Sequence, residues 1–181
     1  MWRGFPPHFI FPVKRGGVMR FQSINRLRDF EFHDSMWSLA DCDSASFAFD
    51  VTALNLHQDA PQNPESCDME IENACVFFVG FRLAVYEPGV AWTTDASGKP
   101  CPTESQKTYT GDEAIALFQL EAKHGIWVYA LEQTDTGEWV LSGCGEEPYF
   151  EVRFSFDQIV IEWDAFRCPA WYVLRSRGIE A

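Results

Sequence analysis

The 181-residue chain carries 14 basic and 27 acidic side chains, a formal net charge of −13, and is 46% apolar and 15% aromatic. So apolar a chain is not disordered, and at this length one domain buries about 70% of the surface its unfolded form exposes. The charge is uneven: residues 1–28 hold six basic groups and no acid, while the remaining 153 hold eight basic and 27 acidic groups, a net of −19. A body that acidic repels phosphate, which excludes nucleic acid and an anionic membrane surface and leaves basic proteins, cations and neutral ligands as partners.

The N-terminal stretch MWRGFPPHFIFPVKRGG does not read as an export signal. Its apolar run FIFPV is interrupted by Pro12, its positive charges follow the run, and no small-residue cleavage site appears. Codons for Lys14-Arg15-Gly16-Gly17 can spell a purine-rich ribosome-binding site upstream of Met19. Residues 1–18 are therefore expected to be a non-native extension and residues 19–181 a single β-rich domain. No apolar stretch approaches membrane-spanning length. The six cysteines form no CxxC pair and no metal-type spacing, so a cytoplasmic protein with reduced thiols is expected, Cys101 and Cys144 lying in loops.

In chain order, Phe30 and Phe32 end a strand, and His33-Asp34-Ser35 follows. Three consecutive residues cannot form a catalytic triad, because neighbours on an extended chain point apart. The segment reads as a turn in which Asp34 or Ser35 bonds the following backbone. Residues 33–44 are then loop, offering His33, Asp34 and Trp37 as candidate binding residues. In SASFAFDVTAL, Phe47, Phe49 and Val51 share one face and Asp50 and Thr52 the other. HQDAPQNPES (57–66) is a loop.

CDMEIENACVFFVGFRLAVY, residues 67–86, alternates most clearly, and its length demands a bend near Gly80. Its opening places Asp68, Glu70 and Glu72 along one face, about 7 Å from each to the next, an acidic stripe able to meet basic groups of a partner. Residues 87–109, rich in Pro, Gly, Ser and Thr, form a long loop.

TGDEAIALFQLEAKHG is the exception. Thr110 and Glu113 have capping-box spacing, acids begin it, Lys123 and His124 end it, and Gly125 follows. A helix over about 111–124 is expected, with Ile115, Phe118, Ala122 and Leu117 as its apolar stripe. Residues 126–132 and 138–142 flank QTDTG as a hairpin. YFEVRFSF and IVIEWDAF flank Asp157-Gln158 as another. The fold class is thus mainly β: an antiparallel sandwich or flattened barrel of eight to ten strands with one α-helix.

No GxSxG elbow, HExxH or HxH arrangement is present. Asp41 and Asp43 begin like a calcium loop, but its glycine is missing and Thr52 stands where the closing glutamate belongs. No catalytic, metal or cofactor site is assigned. Trp127, Trp139, Trp163 and Trp171 are candidate sugar platforms. Phe32-His33-Asp34 followed by alternating strands and CDMEIENACVFFVGF resembles, over residues 29–85, small β-rich bacterial proteins of unassigned role, some of them like immunity proteins of polymorphic toxin systems. The resemblance implies a cytosolic protein that neutralises another by binding, and it transfers no catalytic residues. The expected function is non-enzymatic binding of a basic protein through the acidic face at 68–72 and the loops at 33–44 and 87–109. The alternatives are a carbohydrate or small-molecule-binding β-module with hydrolytic activity, and self-association through a sheet edge.

Overall fold

The computed structural model describes residues 19–179, and the expected N-terminal extension lies outside them. The alternating segments do become strands. The first are β1 (Phe21–Ile24), β2 (Phe30–Glu31), β3 (Met36–Cys42), β4 (Ser46–Thr52) and β5 (Asn55–Leu56). The stretch 67–86 then divides into β6 (Met69–Ile71), β7 (Ala74–Val79) and β8 (Arg82–Pro88). A short ribbon of β9 (Trp92–Thr94) and β10 (Pro100–Pro102) precedes helix α1 (Gly111–His124). The chain continues through β11 (Ile126–Gln133), β12 (Trp139–Cys144), β13 (Phe150–Ser155), β14 (Gln158–Trp163), β15 (Phe166–Pro169) and helix α2 (Trp171–Ser176).

All named pairings are antiparallel, and the fold is mainly β as the alternation implies. Nine strands form one sheet in the order β1-β14-β7-β4-β3-β11-β12-β13-β8, and four form a second, β15-β6-β5-β2. The large sheet does not close, but it cannot be flat. Gly80 and Phe81 alone link β7, third in the order, to β8, which is ninth. Six strand spacings on a flat sheet cover about 29 Å, whereas a two-residue link reaches about 11 Å. Phe156 and Asp157 impose the same demand between β13 and β14. The sheet therefore folds over on itself, and its two halves meet ring to ring: Phe78 of β7 lies edge-on to Phe154 of β13 at 5.5 Å.

Several expectations are corrected here. The long alternating stretch breaks twice, at the predicted Gly80 (φ 67°) and also at Glu72-Asn73, into three strands, and with further short strands elsewhere the described residues hold fifteen rather than eight to ten. β7 is buried on both faces, since Val76 and Phe78 enter the core while Cys75 and Phe77 pack with Ala48 and Val160 outside it. The expected hairpin at Asp157-Gln158 does not form: β13 pairs with β12 and β8, and β14 with β1 and β7. A strand buried on both faces needs two full-length neighbours, and β14 with its Ile159, Ile161 and Trp163 supplies one of them. Residues 36–42 are strand rather than loop, because alternate side chains Trp37 and Leu39 pack inward. The 87–109 segment holds the β9–β10 ribbon, closed by an Asp95 carboxylate that accepts from Ser97 N–H and Lys99 N–H at 2.8 and 2.9 Å.

The predicted helix is present and ends on Gly125 (φ 92°). Its capping box is not made: Thr110 sits at the N-cap without a side-chain bond, and Gly111 turns the chain in with φ 61°. α1 spans from β3 to β8. Phe118 of α1 lies among Phe47, Phe81 and Phe150, completing the core where the sheet stays open.

Candidate functional site: an aromatic row on the outer face

The turn at 33–35 is a structural turn, as expected, but its side-chain bond runs back to Phe32 rather than on to the following backbone. Asp34 has φ 66°, Ser35 N–H donates to Phe32 O at 3.1 Å, and the Ser35 hydroxyl donates to the same carbonyl while accepting Trp37 Nε1–H at 2.8 Å. The third residue of such a turn needs a positive φ, which aspartate tolerates better than most residues. The turn is also sewn to β11: Asp34 N–H donates to Val128 O and Val128 N–H to Ser35 O, at 3.0 and 2.9 Å. A bulge between Val128 and Ala130 aims the Tyr129 carbonyl at His33 Nδ1, 2.7 Å away. That contact fixes the Nδ1–H tautomer and leaves Nε2 3.4 Å from Asp34 Oδ1, at the surface.

Next to this turn, the outer face of the large sheet carries large apolar side chains in the open. Met36 pairs directly with Trp127, and Trp127 with Cys144, across three neighbouring strands. Tyr129 lies nearly parallel to Tyr149, with ring centres 6.4 Å apart. Trp127 is 49% exposed, Tyr129 41%, Tyr149 40% and Met36 36%, values that mark an uncovered patch rather than core.

The polar surroundings are mostly acidic. Tyr149 OH donates to Glu151 at 2.6 Å, Glu146 holds His124 Nδ1 at 2.7 Å, and Asp34 is half exposed beside His33. Partial burial and the Glu151 carboxylate push the Tyr149 phenol up to about 12. A hydrogen bond to Cys144, then desolvation, raises that of Tyr129. Both rings therefore stay neutral donors at physiological pH. Tyr149 also joins the row to the ribbon, since its carbonyl accepts Gly89 N–H at the ribbon's base. Trp92, 67% exposed, stands on that ribbon.

The sequence-predicted site residues are divided by the fold. His33 and Asp34 border the aromatic row. Trp37, on the same strand as Met36 but facing inward, is fully buried among Phe32, Phe49 and Phe78, which removes it from any contact surface. The expected acidic stripe is largely engaged inside the protein. Asp68 accepts from Gln58 N–H at 2.8 Å, Tyr172 OH at 2.7 Å and His57 Nδ1 at 3.0 Å. Burial raises the Asp68 pKa, but these three donors outweigh it and hold the carboxyl below its usual range. Glu70 accepts Arg167 at 3.1 Å, which leaves Glu72 as the exposed member.

Of the tryptophans proposed as platforms, Trp127 and Trp171 are exposed, Trp139 packs on Phe156, and Trp163 is fully buried. Cys101 and Cys144 lie in strands rather than loops, and none of the six cysteines is in a disulfide. Tyr129, Tyr149 and Met36 were missed. The signal for Tyr129 was legible in IWVYALE, where Trp127 and Tyr129 alternate with Ile126 and Val128 and so face the opposite side of the sheet. Among the described residues no group of three or more metal-ligating side chains assembles, and no helix is long and apolar enough to cross a membrane. No protein family, curated protein or solved structure matches the chain.

Proposed function

We propose that this protein binds a basic protein partner without chemically altering it, with the row Met36–Trp127–Tyr129–Tyr149 as the contact core and the acids beside it as the steering rim. The observation that carries the reading is four large exposed side chains, with Met36 paired to Trp127 and the Tyr129 ring stacked on that of Tyr149. Tyr, Trp and Met are the residues that interface cores concentrate, and a few such anchors supply most of the binding energy. The net charge of −13 selects for positive partners and accelerates encounter with them. Neutralisation of a basic target, which the resemblance to immunity proteins implies, fits the same surface. The two imidazoles beside the row, His33 and His124, each face a carboxylate, Asp34 and Glu146.

A second reading, a carbohydrate-binding module, draws on the same rings, because Trp127 and Tyr129 could stack on sugar faces. One experiment separates the two. The immobilised protein and its Trp127→Ser/Tyr129→Ser variant are exposed to host extract and to polysaccharides at low and high salt. Retention of a basic protein that weakens with salt and is lost in the variant supports the first reading. Retention of a polysaccharide that ignores salt but needs Trp127 supports the second. A basic protein captured equally well by the variant overturns the assignment of the surface.

A further inference from the structure

A separate cavity of about 460 Å³ opens beside α1, which packs on β3 and β8. Its walls are the β3–β4 turn, the β7–β8 corner and one side of α1, and nothing in the aromatic row contributes to it. The floor is apolar: Phe47 and Phe81 are buried with ring centres 4.4 Å apart, and Leu83 and Ile115 extend it. The walls are tied together before any ligand arrives. Phe81 N–H donates to Ala45 O at 3.0 Å, joining corner to turn, and Gln119 Nε2 donates to Cys42 Sγ at 3.4 Å, joining helix to strand. Sites for small molecules have this size, about 300–1,000 Å³, and this build of apolar surface with a few placed polar groups.

The charges lining the cavity choose the ligand. Arg82 is already neutralised, its guanidinium 2.8 Å from Asp157 and 3.2 Å from the Ser155 hydroxyl. Asp43 has no cationic partner among the described residues. Its carboxylate accepts Ala45 N–H at 2.8 Å and bonds Ser46, which uses part of its acceptor capacity and leaves the charge in place. An anion entering here meets Asp43 and a strongly negative protein, whereas a cation is favoured by both.

We propose that this cavity binds a small aromatic amine, its ring on Phe47 and Phe81 and its ammonium on the Asp43 carboxylate.

The test uses the whole chain and three probes of one shape: 2-phenylethylamine, 2-phenylethanol and 3-phenylpropanoate, titrated by calorimetry. Protection of Cys42 from iodoacetamide, read peptide by peptide, locates the binding. The amine is expected to bind about tenfold more tightly than the alcohol, the worth of a charge-assisted hydrogen bond, and the carboxylate most weakly. Asp43→Asn, which keeps an oxygen for Ala45 N–H, is expected to bring the amine down to the alcohol's affinity. Ile115→Trp, checked for folding by circular dichroism, fills the cavity and should abolish binding of both. Three results overturn the proposal: no heat from the amine at millimolar concentration, equal or tighter binding of the carboxylate, or amine binding that survives either variant unchanged.

Discussion

Replacing Asp68 by alanine tests how the small sheet is held together. Its carboxylate joins three separated pieces of chain: the start of the 57–66 loop through Gln58 N–H and His57, β6 through its own backbone, and α2 through Tyr172 OH. The side chain is 19% exposed, so water replaces only part of what is lost. A buried donor left without its acceptor costs about 1–3 kcal/mol. Three donors, two of them partly solvated, put the expected destabilisation of Asp68→Ala at about 3 kcal/mol, a large fraction of the roughly 5–15 kcal/mol of a typical domain.

Urea unfolding of wild type, Asp68→Ala, Tyr172→Phe and the double variant measures it. The two single changes should be non-additive by about 1 kcal/mol, because they remove the same bond. Acid sharpens the test. The folded pKa of Asp68 lies below its unfolded value, so its stabilisation is present above about pH 4 and is lost as pH falls through the folded value. The gap between wild type and Asp68→Asn should therefore close on acidification. Additive single variants, with Asp68→Ala within 0.5 kcal/mol of wild type (about the scatter of surface substitutions), would refute the reasoning.

Gly143→Ala should be strongly destabilising, by about 2 kcal/mol or more, since a methyl group there would stand 2.4 Å from the Trp127 carbonyl oxygen, which belongs to backbone; thermal unfolding checks it. Glu121 is buried in α1 and accepts Glu147 N–H at 3.3 Å; burial, reinforced by Glu146 and Glu147, lifts its pKa despite the N–H donors. Ionising it therefore costs stability as pH rises above its ordinary value of 4.5, and Glu121→Gln should gain relative to wild type as the pH approaches neutrality, read from unfolding free energies at several pH values. Trp127→Ser and Tyr129→Ser, on the outer face, should each change stability by no more than about 1 kcal/mol, so loss of partner binding in the pair can be read as loss of contact. A larger loss would mean that the row is core after all.

Local rhythm made the strands, the helix and the turn legible. Ile126 and Val128 inside with Trp127 and Tyr129 outside is a period-two pattern that only a strand presents. The helix was readable from its ends even though its capping box was not made, because acids at the start, bases at the end and Gly125 act without that bond. His33-Asp34-Ser35 was readable as a turn because short polar side chains bond their own backbone. Partner choice was different. The Asp157-Gln158 link looks like a hairpin because two strands flank two polar residues. Whether those strands pair depends on β7, 80 residues away in sequence, whose two buried faces claim β14. The Asp68 stripe misled for a similar reason: spacing puts carboxylates on one face, but only the arrival of Tyr172, His57 and Arg167 shows that the face is occupied.

By itself the sequence determined the kind of object: an acidic, antiparallel β-protein with one long helix, since side-chain alternation and end charges act over a few residues. The tertiary structure alone decided which faces meet water. Folding the nine-stranded sheet on itself buried Trp37 and Trp163 and left Trp127, Tyr129 and Tyr149 outside, and it opened the cavity under α1. A tryptophan carries the same hydrophobicity in either place. What separates core from contact surface is whether a second layer packs against its strand, and that second layer comes from residues far along the chain.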